Sequence, residues 1–219
     1  HTTVAEYAFG LMLILSRQML LHHKIVKGQG WKREPNFDLA GKTLGIAGLG
    51  RIGQALTDRA LAFSMNVIAH ESFPNRQFAE EKGVELVDMD TLCRVSDFLS
   101  LHLPVAPDTV NIINEERLAL MKPDAFLINT ARGLLIDEEA LYSALTSSQI
   151  AGAGLDVFVD EPPYGSPLLE LPNVIVSPHV AGVSLESQER MGLQAVQGAL
   201  DVLAGRWSRD IVVNGIYAD

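Results

Sequence analysis

Residues 43–53 read TLGIAGLGRIG, a short apolar run that continues into the pattern G-x-G-x-x-G. A strand that leads into such a turn and then into a helix is typical of the first unit of a dinucleotide-binding domain. Gly48 permits the tight turn, Gly50 lets a pyrophosphate approach the backbone, and Gly53 lets the helix pack close to the sheet. The stretch therefore predicts a strand, a phosphate-binding turn and a helix.

The start of this helix and the next strand supply the other parts of a dinucleotide site. The helix begins near Arg51 and Ile52, so its first amides and its partial positive charge would face the phosphates. Glu71 ends the next predicted strand. A carboxylate there accepts hydrogen bonds from both ribose hydroxyls and repels a 2′-phosphate. This favours NAD over NADP, a preference that Arg76, a few residues later, would weaken.

Apolar runs and amphipathic stretches alternate along the rest of the chain. Strands this apolar, separated by helices, need both faces of the sheet covered, which is typical of a doubly wound parallel sheet. The predicted strands are 43–47, 66–71, 97–101, 125–129, 150–156 and 173–177. The predicted helices are 52–63, 75–82, 88–94, one capped by Asn114 that ends before Pro123, one capped by Asp137 that ends near 147, and one capped by Ser184 that ends near 203. The fold class is α/β, a Rossmann-type dinucleotide-binding domain.

Residues 4–26 predict one long helix in front of this domain, with Thr3 and Glu6 as a capping box at its start. The helix is apolar around much of its circumference, which indicates burial against more than its own domain. We therefore expect residues 1–27 to form an interdomain or dimer contact. Residues 28–219 are expected to form the dinucleotide-binding domain, in one compact unit with this opening helix.

Three further segments begin at the C-terminal ends of predicted strands, where open α/β sheets bind their ligands. They carry Arg132, Glu161 and His179, which are far apart in sequence and are expected to converge on one crevice. Asp160, beside Glu161, is a competing carboxylate. The segments are NTARG at 129–133, LDVFVDEP at 155–162 and SPHVAG at 177–182.

With these segments, the sequence resembles the D-isomer-specific 2-hydroxyacid dehydrogenase family over nearly the whole chain. Several separate motifs in the right order are far more specific than the glycine turn alone. The matching motifs outside the three segments are TVAE at 3–6, SLHLP at 100–104 and MKP at 121–123. The resemblance implies an oxidoreductase that transfers a hydride between NAD(H) and a D-2-hydroxy acid or 2-keto acid.

The resemblance also implies roles for the three convergent residues. His179 would be the general acid and base that exchanges a proton with the substrate oxygen. Glu161 would bind the other ring nitrogen, orient the ring and stabilise the imidazolium. Arg132 would hold the substrate carboxylate and polarise the reacting carbonyl, a task that suits its planar fork of donors.

Further cofactor contacts follow from the same resemblance. Asp156 should contact the nicotinamide carboxamide, and Thr130 should lie beside the nicotinamide. Pro104 and Thr109 should border the adenosine and pyrophosphate. His102 is interpreted as a loop residue rather than a catalyst.

Composition excludes several other functions. The net charge is −10 and no basic cluster occurs, so we expect no nucleic-acid partner. The longest apolar run, 7–15, is too short for a bilayer, so no membrane partner is expected. The single cysteine, Cys93, indicates inert packing and a reducing cytoplasm. Metal spacings such as H-x-x-x-H and C-x-x-C are absent, so no metal is predicted.

The resemblance implies proteins of two domains that form homodimers and act on small 2-hydroxy or 2-keto acids. Nearly all of the substrate domain would precede His1, so we expect this chain to bind dinucleotide but to turn over slowly or not at all. An alternative is an NAD(H)-sensing, corepressor-like protein of the same fold, which would keep the same three residues. A third reading is another Rossmann-type enzyme with a structural NAD, such as a hydrolase.

Overall fold

Seven strands form one parallel sheet in the computed structural model of the chain, which describes residues 1–206. The strands are β1 (Thr43–Ala47), β2 (Asn66–His70), β3 (Glu85–Leu86), β4 (Phe98–Leu101), β5 (Phe126–Asn129), β6 (Gly152–Leu155) and β7 (Val174–Val176). Their order across the sheet is β3-β2-β1-β4-β5-β6-β7, and all neighbours are parallel. The predicted doubly wound α/β fold is confirmed. Its order changes direction between β1 and β4, where such sheets open a ligand-binding crevice.

The helices of the described part are α1 (Thr2–Ser16), α2 (Met19–Lys27), α3 (Arg51–Ala62), α4 (Arg76–Lys82), α5 (Met89–Val95), α6 (Glu115–Leu120), α7 (Glu138–Thr146) and α8 (Leu185–Leu203). The three predicted N-caps are confirmed. Asn114 and Asp137 accept hydrogen bonds from first-turn amides, and Ser184 forms a reciprocal capping box with Ser187. These caps satisfy amides that a helix cannot pair internally, which is why the sequence locates these helix starts.

Helices cover both faces of the sheet. Along β1, Leu44 and Ile46 belong to the apolar cluster that includes α1, α3 and α4, whereas Ala47 belongs to the cluster of α5, α6 and α7. Successive strand residues point to opposite faces, so both faces must be apolar. Cys93 is fully buried in the second cluster, and burial raises the pKa of its thiol to about 11. The prediction of inert packing for this cysteine is confirmed.

The predicted continuous helix over residues 4–26 is wrong, because the chain turns between α1 and α2. Gln18 has a left-handed backbone with φ 48° and ψ 39°, which cannot continue a right-handed helix. The apolar residues keep their helical spacing on both sides of Gln18, so the sequence pattern does not predict the break there. The predicted capping box is also wrong: α1 begins at Thr2, so Thr3 lies inside the helix, and Glu6 instead pairs with Arg59 at 2.7 Å.

The two opening helices differ in burial. α1 packs on α3, β5 and β6, so its apolar face is covered within its own domain. α2 has no buried residue, and its exposed apolar side chains are Met19, Leu20, Leu21 and Val26. The contact role of residues 1–27 stays a prediction. No single helix in residues 1–206 is long and apolar enough to cross a membrane; α1 and α2 meet that test only as a pair, bent by 58°.

Two smaller differences concern strands and domains. β3 is absent from the predicted strands because two residues cannot display an alternating pattern. The chain divides into two compact units, His1–Ala181, which holds the sheet, and Gly182–Asp219, which holds α8. A single domain over 28–219 stays a prediction, and its last part, 207–219, lies outside the described residues.

Candidate functional site

The glycine turn follows β1 at the edge of the crevice. Gly48 has φ 102°, and a Cβ there would lie 2.7 Å from the backbone carbonyl of His102. A Cβ on Gly53 would lie 2.3 Å from the carbonyl oxygen of Gly48. A Cβ on Gly50 would meet nothing within 4 Å. The outer two glycines therefore let the chain pack on itself, whereas Gly50 borders open space of the kind that a pyrophosphate needs.

The start of α3 offers hydrogen-bond donors beside this space. Gly50 is the N-cap, and no side chain caps the helix. The first amides of a helix have no partner inside it, so those of Arg51 and Ile52 are available to an anion. Gln54 ties the turn to the helix by donating to the carbonyl of Leu49 at 3.0 Å. These features fit the phosphates of a dinucleotide.

Glu71 lies directly after β2, where the ribose contact is predicted. Its Oε1 accepts a hydrogen bond from the amide of Phe73 at 3.1 Å, which fixes the carboxylate at the start of the loop. Arg76 lies in the first turn of α4 and lines a separate groove with residues 83–86. The carboxylate of Glu71 is therefore held by its own loop and is not part of the groove that Arg76 lines.

A cleft lies between the loops that follow β2 and β4. His70, Leu103 and Thr109 are among the residues that line it. The hydroxyl of Thr109 donates to the carbonyl of Pro104 at 2.7 Å and accepts from the amide of Ala106 at 2.7 Å, which closes the second loop on itself. Pro104 and Thr109 therefore belong to a preformed loop beside a cleft of the kind an adenosine needs.

Two buried side-chain atoms at the crevice have no hydrogen-bond partner within the described part of the chain. They are Oγ1 of Thr130, after β5, and Nδ1 of His102, after β4. Buried polar atoms normally have a hydrogen-bond partner, so we expect the polar groups of a ligand to pair with these two atoms. The Nε2 atom of His102 lies 2.9 Å from Oγ of Ser100, and burial lowers the pKa of the ring to about 4. A ring held neutral in this way is poorly suited to acid catalysis.

A histidine and a carboxylate are paired at the other end of the crevice. Nδ1 of His179 lies 2.8 Å from Oε2 of Glu161, and Oε1 of Glu161 accepts from the amide of Phe158 at 3.1 Å. The hydrogen bond from His179, followed by that amide and the positive charges of His179 and Arg132, lowers the pKa of Glu161. Asp160, the competing carboxylate, is not the partner of the ring.

Arg132 lies in the loop that follows β5. Asn129 shapes the loop by donating to the carbonyl of Arg132 at 2.8 Å and accepting from the amide of Ala131 at 3.0 Å. Gly133 allows close approach to the next loop, since a Cβ there would lie 1.9 Å from the carbonyl carbon of Phe158. The loops of Arg132 and Glu161 are therefore neighbours, and the convergence of Arg132, Glu161 and His179 on one substrate stays a prediction.

Asp156 is fully buried at the end of β6. Its carboxylate accepts hydrogen bonds from the hydroxyl of Ser177 and from the amides of Val180 and Ala181. The predicted contact with the nicotinamide carboxamide stays a prediction. The sequence does not predict that Asp156 holds the segment 177–181. It also does not predict that Asn129 and Gly133 shape the loop that carries Arg132. A polar residue at the end of an apolar strand, as at Asn129 and Asp156, is the signal that could have shown them.

Comparison with known proteins gives the same assignment as the motifs. Residues 9–181 match the family described as D-isomer specific 2-hydroxyacid dehydrogenase, NAD binding domain. A D-3-phosphoglycerate dehydrogenase of Methanocaldococcus jannaschii is 45% identical over 213 residues, which are 96% of this chain and 41% of that protein. A glyoxylate reductase of Thermococcus litoralis is 43% identical over 196 residues, which are 85% of this chain and 59% of that protein.

A solved structure, D-lactate dehydrogenase from Aquifex aeolicus complexed with NAD and lactic acid, has a TM-score of 0.86 and 34% identity. The match covers 93% of this chain and 66% of that one. The chain therefore spans less than two thirds of each of these relatives. With a family match over most of its length, the chain belongs to the D-isomer specific 2-hydroxyacid dehydrogenase family, whose NAD binding domain it contains.

Proposed function

We propose that this chain is the cofactor-binding part of an NAD-dependent dehydrogenase that interconverts D-2-hydroxy acids and 2-keto acids. The observation that carries the proposal is the pair of His179 and Glu161, at 2.8 Å, on the edge of the sheet that also presents Arg132. Family membership supports it, as do relatives named for glyoxylate, D-lactate and D-3-phosphoglycerate. The site has the acid–base group, the orienting carboxylate and the carboxylate clamp that this reaction needs.

His179 moves the proton. Its Nδ1 donates to Glu161, which leaves Nε2 as the ring nitrogen that faces the substrate oxygen. In carbonyl reduction Nε2 donates a proton to that oxygen, and in alcohol oxidation it accepts the hydroxyl proton. The lowered pKa of Glu161 keeps the carboxylate ionised, so it stabilises the charged ring and holds its orientation.

Arg132 binds the substrate. Its guanidinium is exposed and anchored by a hydrogen bond from Nη1 to the carbonyl of Ala131 at 2.6 Å. The remaining donors of the planar fork suit the two oxygens of a carboxylate. This contact turns the 2-carbon of the substrate toward His179 and polarises its carbonyl.

The rest of the crevice would hold NAD(H), which supplies or accepts the hydride when bound. The phosphates would lie on the turn that contains Gly48, Gly50 and Gly53 and on the amides of Arg51 and Ile52. Glu71 would accept from the ribose hydroxyls, which favours NAD over NADP. Pro104 and Thr109 would border the adenosine side, and Thr130 and Asp156 would border the nicotinamide.

We expect the chain alone to bind NADH and to turn over slowly or not at all, because closure of a second domain normally excludes water and orients the substrate. Calorimetry with NADH and NADPH tests binding. NADH oxidation with glyoxylate, pyruvate and 3-phosphohydroxypyruvate tests turnover. Chiral chromatography identifies the products of the last two, since the product of glyoxylate is achiral. Tighter binding of NADH and formation of D-products are expected. Absence of NADH binding, or formation of L-products, would contradict the proposal.

A homodimer in a reducing compartment such as the cytoplasm is part of the same proposal. The exposed apolar residues of α2 support a contact with a second copy. Light scattering should give twice the mass of the chain, and a monomer at high concentration would argue against the dimer. The buried, unpaired Cys93 suits the cytoplasm.

A further inference from the structure

His179 has a strained backbone for a residue with a side chain. Its φ is 54°, in the left-handed region that glycine adopts readily and other residues rarely do. The five other non-glycine residues with positive φ in the described part are Gln18, Gln29, Ser64, Asn111 and Ser148. Only His179 among these six belongs to the candidate site. A conformation of this kind persists when its surroundings hold it in place.

The surroundings of His179 contain one dominant anchor, Asp156. The backbone carbonyl of Asp156 accepts from the amide of His179 at 2.8 Å. Its Oδ1 accepts from the amide of Val180 at 2.9 Å, and its Oδ2 from the amide of Ala181 at 2.8 Å. The hydroxyl of Ser177 donates to the same Oδ1 at 2.6 Å. One buried residue therefore binds the chain on both sides of the histidine.

Packing cannot supply this positioning. The side chain of His179 is 50% exposed and that of its partner Glu161 is 39% exposed. A half-exposed ring is held by few neighbours, so its place depends on its backbone and on its one hydrogen bond. Asp156 is fully buried and Ala181 is 2% exposed, so the anchor itself is rigid.

We propose that Ser177 is a positioning residue for the reaction, which it serves by fixing, with Asp156, the left-handed turn at His179. The inference rests on the proposed function, because it assigns the turn a purpose in proton transfer. The hydroxyl of Ser177 fixes the entry to the turn and the amides of Val180 and Ala181 fix its exit. Without the hydroxyl of Ser177, Oδ1 of Asp156 keeps one donor, the amide of Val180. The carboxylate of Asp156 and the backbone at residue 177 then become more mobile. Nδ1 of His179 would then meet Oε2 of Glu161 less often.

The test compares Ser177→Ala with Ser177→Thr, which keeps the hydroxyl, and with the control Ser96→Ala. Ser96 is also a serine that donates a 2.6 Å hydrogen bond, to the carbonyl of Leu92, and it lies away from the crevice. In Ser177→Ala, amide exchange at Val180 and Ala181 should quicken roughly tenfold, the loss expected for one hydrogen bond to a charged group. The nitrogen-15 shifts of the His179 ring should move toward those of a free imidazole. Ser177→Thr should restore both signals.

Turnover gives the second readout. Relative to the wild-type chain, Ser177→Ala should lower kcat roughly tenfold with little change in KM or NADH affinity, and Ser177→Thr should recover most of the rate. Ser96→Ala should lower the thermal midpoint without changing the exchange or ring signals. If Ser177→Ala changes only the thermal midpoint, as Ser96→Ala does, the serine is merely structural and the inference is overturned. Absence of NADH binding by the wild-type chain would contradict only the proposed function, because exchange and ring shifts still decide the role of Ser177.

Discussion

The two ends of the crevice are built in opposite ways. At the proposed phosphate end, the turn at 48–53 presents its backbone, and its glycines matter because they have no side chain. At the proposed catalytic end, side chains that follow β6 hold the loop after β7 through hydrogen bonds between residues 18 to 25 positions apart. One end depends on a short local sequence, and the other depends on the order and register of the sheet.

This difference implies that the two ends can be damaged separately. A change at His179 or Glu161 should slow the chemistry and leave dinucleotide binding intact, since these side chains bind each other and the amide of Phe158 rather than the glycine turn. A change at the turn should weaken binding and leave the His179 pair in place. Substitutions at either end therefore test whether the separation holds.

Replacement of the histidine, His179→Gln, should have the largest effect. Glutamine keeps a polar group of similar reach but cannot accept and release a proton near neutral pH, so kcat should fall roughly a thousandfold relative to the wild-type chain. The affinity for NADH, measured by calorimetry, should stay unchanged. A comparable loss of NADH affinity would show that the two ends are not separable.

The next largest effect is expected for Glu161→Gln, with Asp160→Asn as its matched control. Glutamine retains an acceptor for the ring but loses the negative charge that stabilises the imidazolium, so kcat should fall roughly a hundredfold. Asp160 is exposed and is not the partner of the ring, so its variant should stay within about twofold of the wild type. Equal losses in the two variants would contradict the assignment of Glu161 over Asp160.

The same contrast explains what the sequence could reveal. The glycine turn, the N-caps at Asn114, Asp137 and Ser184, and the alternation of strands and helices are local signals, and the structure confirms all of them. Membership of the family, carried by separate motifs in order, is also confirmed. Each local signal depends on residues that lie close together in the chain, and the family resemblance combines several such short motifs.

Features that depend on tertiary contacts were out of reach. The break at Gln18 is the left-handed backbone of one residue within a continuous apolar pattern, and the two residues of β3 form a strand by pairing with the edge of β2. Asp160 and Glu161 are adjacent carboxylates: the resemblance to the family favours Glu161, but the residues alone do not, because the path of the loop decides which one meets His179. The hydrogen bonds of Asp156 to the turn at His179 join two strand ends; a polar residue at the end of an apolar strand marks Asp156, but not the turn that it holds.

At the phosphate end, Gly50→Ala should lower NADH affinity about tenfold, because a methyl group would occupy space that the pyrophosphate needs. The fold should survive, since a Cβ there meets nothing within 4 Å. Gly10→Ala, in α1, is the control: its Cβ also meets nothing within 4 Å, and binding should not change. Gly53→Ala should instead lower the thermal midpoint, because its Cβ would lie 2.3 Å from a backbone oxygen. Unaltered binding in Gly50→Ala would place the phosphates elsewhere.

The smallest effect concerns the pH dependence of stability at the catalytic end. The folded chain holds the pKa of Glu161 below its ordinary value of 4.5, chiefly through the hydrogen bond from His179. The ionised carboxylate therefore stabilises the fold above that ordinary value, and this stabilisation is lost as the pH falls through the lower, folded-state pKa. Because the side chain is 39% exposed, solvent screening limits the contribution to about 0.5 kcal/mol or less. Calorimetric thermal midpoints of the wild type and Glu161→Gln should differ slightly at neutral pH and converge in acid, whereas a gap that widens in acid would mean that the pair does not hold the carboxylate in its charged form.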